Sequence, residues 1–157
     1  MRIVSLSDDE TADTKLFSEH GICLYIEHGA NRILFGAGAS SLFMSNAERL
    51  GVPVSKADTL VLPINTDDCT GGAEAAAKKC PGLRIFIRDA AACDCAKKER
   101  LLRVRSGLPQ SFYRSEKYNT IRFERFTEVC KDFYLVAVDE DAKGLDGDRH
   151  YYIRKKG

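Results

Sequence analysis

Residues 59–72, TLVLPINTDDCTGG, decide how the rest of the chain is read. The segment opens on an apolar run, residues 59–62, of the kind that forms a buried strand. A polar loop follows, and Thr70-Gly71-Gly72 then leads into AEAAAKK, a composition of strong helix formers. A strand, a polar loop and a helix start in this order belong to a layered α/β sheet rather than an all-β barrel.

The flanking sequence agrees. Residues 2–6 form a strand pattern, followed by a loop, SDDETADT. Residues 21–27 (GICLYIE) and 32–35 (RILF) are two further strands, and His28-Gly29-Ala30-Asn31 between them supplies the Gly and Asn of a hairpin turn. Over residues 40–50, Leu42, Phe43, Ala47 and Leu50 fall on one helical face, with Gly51 at the C-terminus and Pro53 beyond it. Residues 72–79 form a short helix stopped by Pro81-Gly82, and residues 83–87 (LRIFI) a strand. Residues 88–118 are rich in Arg, Lys and Ser and broken at Leu108-Pro109, which predicts a loop-rich excursion with a short helix over 89–98. Strand patterns return in TIRFERF, DFYLVAV and HYYIR, with Asp146-Gly147 as a hairpin signal before the last. There is no internal repeat or linker, so residues 1–157 are expected to form a single domain.

These motifs resemble the metallo-β-lactamase superfamily, in which the same strand is followed by H-x-H-x-D-H and often T-G-G. Laid on that motif, this chain has Ile64, Thr66, Asp68 and Cys69 at the signature positions. The likeness is to the dihydropterin-synthase-like branch of the methanopterin pathway. Ser18-Glu19-His20-Gly21, Ile33-Leu34-Phe35 and the RLGV after the first helix match it. Gly36-Ala37-Gly38 stands where that branch has D-T-G, so Gly36 replaces an acid that helps organise the metal loop in active relatives. The resemblance covers most of residues 1–87. Full-length relatives of this branch continue past the point where this chain stops and carry further ligands there. The implied fold is an α/β metallo-β-lactamase-like sandwich shortened to about its first half, a mixed sheet with helices outside.

The resemblance implies metal-dependent hydrolysis, and the residues at the motif argue against it. A catalytic zinc takes about three protein ligands at roughly 2.0–2.3 Å and keeps one position open for water. Ile64 cannot coordinate and Thr66 is a poor ligand; Asp68 and Cys69 are adjacent and alone do not close a site. The chain has only three histidines, His20, His28 and His150, none with a partner at ligand spacing. The first expectation is therefore a non-catalytic protein without a cofactor, holding an unidentified small molecule or protein at the edge formed by residues 36–40 and 64–72. Gly36, Ile64, Thr66, Asp68 and Cys69 are its degenerate motif positions, and His20, Asp67, Thr70 and Gly71 its candidate ligand edge.

Two alternatives keep a metal. One is a residual hydrolase with zinc on a rebuilt site of Asp67, Asp68, Cys69 and His20. The other is a thiol-based metal or redox site from Cys80, Cys93 and Cys95, with Lys97 and Lys98 lowering the thiol pKa. Each has a local reading beside it. Asp68 can accept loop amides while Thr70 and the acids cap the next helix. Cys93-x-Cys95 lacks the C-x2-C spacing of most zinc ribbons, and Cys23 and Cys130 fall in apolar strands as core residues. His20 can be a surface residue.

A net charge of +1, with 24 Lys and Arg against 23 Asp and Glu, gives no global field for nucleic acid or membrane. The basic stretch at residues 97–114 is expected to be a solvated face. The N-terminus lacks the apolar core of a secretory signal, so a cytoplasmic protein is expected, with its six cysteines reduced. Half a sandwich leaves the inner sheet face uncovered, and a two-fold homodimer is the expected cover.

Overall fold

The computed structural model describes residues 1–88, 95–99, 102–137 and 151–155, with side chains for 1–88 and 107–136. Its main sheet begins with β1 (Arg2–Ser7), β2 (Cys23–His28) and β3 (Asn31–Phe35), joined antiparallel. It continues in parallel through β4 (Thr59–Leu62), β5 (Arg84–Arg88) and β8 (Asn119–Phe123). Between β5 and β8 the chain forms an antiparallel ribbon, β6 (Cys95–Glu99) with β7 (Leu102–Ser106). A second sheet pairs β10 (Phe133–Ala137) with β9 (Phe126–Cys130) on one side and β11 (Tyr151–Lys155) on the other. Four α-helices, α1 (Leu42–Arg49), α2 (Asp67–Thr70), α3 (Ala73–Lys79) and α4 (Gln110–Arg114), and a 3-10 turn at Val54–Lys56 complete the described elements.

Strand register sorts the residues of the main sheet onto two faces. Tyr25, Leu34, Leu60, Ile85 and Thr120 are successive cross-strand partners and share one face. That face carries the helices. Asn46 of α1 donates to the Leu6 carbonyl at 2.9 Å, and Ala77 and Cys80 border the same groove as Ile85 and Thr120. The opposite face meets the second sheet. Arg84 donates to the Val129 carbonyl at 2.9 Å, and the His28 and Phe133 rings lie 5.5 Å apart.

All four residues of β4 are at most 1% exposed, although they point alternately to opposite faces. Both faces of the sheet are therefore covered at its centre, which corrects the expectation of an open inner face. Val129, Phe133 and Leu135 of the second sheet provide that cover. Apolar surface persists at the margins, where Ile3 on edge strand β1 is 52% exposed and Phe126 on β9 is 61% exposed.

Most elements up to residue 87 match the sequence reading. The helix expected over 89–98 does not hold at residues 95–98, which lie in β6; cross-strand pairing with β7 overrides the helical preference of AKKE. Residues 89–94 lie outside the described residues, as does Asp146-Gly147. TIRFERF is not one strand. β8 ends at Phe123 and β9 starts at Phe126 in the other sheet, and Arg88 holds the crossing by donating to the Glu124 carbonyl at 2.8 Å. Cys23 is in the core as expected, whereas Cys130 is only half-buried.

Arg84 is the main polar tie between the layers. Besides Val129 it donates to Thr59 Oγ1 at 2.7 Å, and its guanidinium sits 5.7 Å from the Phe86 ring. Arg84→Leu keeps the bulk and removes these bonds, leaving the Val129 carbonyl without this donor and Thr59 Oγ1 with only its bond to Asp58 at 2.6 Å. Urea denaturation is expected to show a loss of about 2 kcal/mol.

Candidate functional site

The candidate site lies past the C-terminal ends of β3 and β4, where residues 36–40 meet residues 63–72. Gly36 N–H donates to the Val61 carbonyl at 2.8 Å, Ala37 N–H to Cys69 at 2.9 Å and Gly38 N–H to Ile22 at 3.0 Å. Gly36 has φ +73°, and a Cβ there would overlap the Ile22 carbonyl. The aspartate that the resemblance places at this position therefore does not fit this backbone. Across the contact, a Cβ on Gly71 would overlap the Ala39 carbonyl, and one on Gly72 the carbonyls of Ala37 and Ser40. The glycine pair is required by packing, whatever chemistry the loop performs.

The motif side chains do not converge. Ile64 is half-buried and offers no donor atom. Thr66 is half-buried, its Oγ1 enclosed with no hydrogen-bond partner among the described residues. Asp68 Oδ2 lies 3.8 Å from the buried Cys69 Sγ. Thr70 is buried, but its hydroxyl donates back to the Thr66 carbonyl at 2.8 Å and caps nothing. Neither α2 nor α3 has a side-chain cap, which corrects the expected capping by Thr70 and the acids. The carboxylate that accepts a loop amide is Asp67, not Asp68: its Oδ1 takes the Gly107 N–H at 2.7 Å.

His20 is paired with Asp9, beside Gly21, which packs against the Asp68 carbonyl. Its Nδ1 is 3.0 Å from Asp9 Oδ1, and its side chain is 84% exposed. The neighbouring Glu19 instead reaches the site edge, accepting from Ser7 Oγ at 3.0 Å and from Ser40 Oγ at 2.6 Å. Cys80 is also set apart. It is buried, and its thiol donates to the Val54 carbonyl at 3.0 Å. Cys93 lies outside the described residues, and only the backbone of Cys95 is described, on β6.

The residue that sequence reasoning missed is Asn65, only 1% exposed. Its Nδ2 donates to the Leu108 carbonyl at 3.0 Å, and its Oδ1 accepts the Leu108 N–H at 2.9 Å and the Tyr113 hydroxyl at 2.7 Å. With Asp67, it fastens the start of the 107–113 segment to the motif loop. The only local hint was a polar residue directly after an apolar strand; its partners lie 43 and 48 positions away.

No three His, Cys, Asp or Glu side chains gather into a metal-holding group among the described residues. At the motif itself only Asp68 and Cys69 offer ligand atoms beyond the committed Asp67. That donor set does not fit a catalytic zinc, and no reaction step is derived through one.

With this geometry established, the chain can be compared with solved structures. It matches "Tm1679, a metal-dependent hydrolase of the beta-lactamase superfamily", with TM-score 0.70 and 22% identity over 99% of this chain and 54% of that one. It also matches a quorum-quenching N-acyl homoserine lactone lactonase, with TM-score 0.55 and 14% identity over 84% of this chain and 54% of that one. A third match is the Rm3 metallo-β-lactamase, with TM-score 0.54 and 12% identity over 76% of this chain and 45% of that one. No family model and no curated protein matches the chain. The chain therefore has the metallo-β-lactamase fold, and it spans about half the length of the structures it matches.

Two outcomes test this geometry. Asn65→Ala removes the bonds to the Tyr113 hydroxyl and to both Leu108 backbone groups, and a loss of about 2–4 kcal/mol is expected in urea unfolding. Burial raises the Cys80 thiol above its ordinary pKa, and burial with the nearby Glu19 charge does the same for Cys23. Folded-state values above the unfolded value mean this contribution is fully present below about pH 8.5 and is lost as the pH rises beyond it. Iodoacetamide at pH 8 should therefore label Cys23 and Cys80 only after denaturation, as read by peptide mass spectrometry.

Proposed function

We propose that this chain is a non-catalytic derivative of the dihydropterin-synthase-like branch, acting as a binding protein whose metal loop has become a structural bracket. One observation carries this reading. The residues interleaved with the degenerate ligand positions, Asn65 and Asp67, make four hydrogen bonds to residues 107, 108 and 113. A loop that feeds a metal has to leave its donors free to converge on one point. Here Ile64 supplies no donor, Asp67 Oδ1 accepts the Gly107 N–H, and His20 Nδ1 is paired with Asp9. The edge between residues 36–40 and 64–72, with Glu19 and Ser40 at its rim, is the surface proposed to take a small molecule or protein.

Metal content is the test. Purified, tag-free protein incubated with excess zinc and desalted is expected to retain far less than one equivalent by elemental analysis. Stoichiometric zinc that disappears in Asp68→Ala and Cys69→Ala would replace this reading with the residual hydrolase.

A further inference from the structure

One edge of the main sheet is open, and its composition does little to protect it. β1 pairs with β2 alone among the described strands. No other backbone hydrogen bond among the described residues reaches residues 1–5. The outward N–H and C=O groups of this stretch form a template for another strand. Edge strands are commonly shielded by lysine, proline, an inward-pointing charge or a bulge. The one such device on β1 is the register shift between Ser5 and Ser7, which confines free pairing to residues 1–5. The one charged side chain in that stretch, Arg2, lies 3.8 Å from Glu27 on β2. Met1 and Ile3 stand 72% and 52% exposed along the same stretch.

The side chains of this edge match a copy of itself. An antiparallel two-fold pair centred on Ile3 sets Ile3 against the partner's Ile3, Arg2 against the partner's Val4 and Met1 against the partner's Ser5. No like charges then face each other, and each exposed isoleucine gains an apolar neighbour with Cβ atoms about 4.5–5.5 Å apart. A register centred on Val4 instead sets Ile3 against a serine and runs into the bulge. Five paired residues exchange about four to six backbone hydrogen bonds. A two-fold contact uses the same edge of both copies, so it closes at two and leaves neither β1 edge free.

We propose that β1 is a self-docking edge, through which two copies of this chain join their main sheets into one continuous sheet across a two-fold axis at Ile3. The homodimer expected from the sequence would cover an inner face that is already covered at its centre. The contact at β1 lies at the sheet margin, where the second sheet leaves Ile3 exposed. A foreign peptide could use the same backbone groups, but the side chains that fit this edge are its own. This inference does not depend on whether the metal loop binds anything.

The test is sedimentation equilibrium of the whole chain at loadings from about 1 μM to about 200 μM. Pairing along one short edge is narrower than a standard interface of about 1,600 Å², so a reversible dimer with micromolar dissociation is expected. Ile3→Lys sets two like charges opposite each other, and Ile3→Glu does the same with the other sign. Each variant alone should keep the parent's far-UV circular dichroism and dissociate at least about tenfold more readily. An equimolar mixture of the two should associate more tightly than either alone, which only direct opposition of the two position-3 side chains produces. Phe126→Ser, at a residue 61% exposed on the second sheet, should leave the dimer intact. A parent that is monomeric at the highest loading overturns the proposal, as does growth beyond the dimer. So does an Ile3→Lys chain that dimerises like the parent, a mixture no tighter than its components, or a dimer lost in Phe126→Ser.

Discussion

The structure depends on one close approach, that of the backbone at residues 36–40 to Gly71 and Gly72. Neither glycine has room for a Cβ, and Gly36 occupies a left-handed conformation against the Ile22 carbonyl. Three backbone hydrogen bonds, from Gly36, Ala37 and Gly38, join this contact to β4, to the motif loop and to the start of β2. Together they fix where β3 and β4 end, how α3 leaves the loop and where the 63–72 segment sits. A side chain at any of these glycines would have to push backbone against backbone, the least forgiving collision in a packed interior.

That constraint acts whatever side chains stand at the motif positions. T-G-G and the residues facing it serve the packing of two loops, and packing is indifferent to what stands at positions 64, 66 and 69. The side chains in between are then available for other bonds. Asn65 uses its side-chain amide on Leu108 and Tyr113, on a segment far along the chain, at 1% exposure. Removing such a residue breaks several hydrogen bonds at once, so its loss is costly.

The legible part of the sequence was the local part. The β2–β3 hairpin, α1, β4, α3 and β5 each follow from a periodic run bounded by Gly or Pro, and those signals need no knowledge of the partner. What failed was non-local. The break between β8 and β9 falls inside an alternating run and exists because the chain changes sheets there. The β6–β7 ribbon forms by pairing two basic segments whose compositions point nowhere in particular. At the site, the motif positions were legible as a pattern. The groups that hold the loop, Asn65, Asp67 and Glu19, were not singled out for that task, because each acts through a neighbour distant in sequence. His20 was a candidate from its place at the hairpin start, and its ring is held by Asp9.

The same distinction bears on how much of a sandwich the chain needs. A count of strands suggested an open inner face, but coverage is decided residue by residue. β4 is sealed on both faces because β9 and β10 return over it, tied by Arg84 to the Val129 carbonyl. The return does not reach β1, where Ile3 is 52% exposed, and it leaves Phe126 and Tyr134 stacked on the outer face of the second sheet, 5.2 Å apart. Burial therefore falls off from the centre of the sheet towards its edges. The well-packed centre lies directly beneath the loops that meet at Gly36 and Gly71. A fold organised in this way keeps the geometry of its site edge even where its outer surfaces remain partly apolar, because the contacts that shape the edge lie over the sealed part of the sheet.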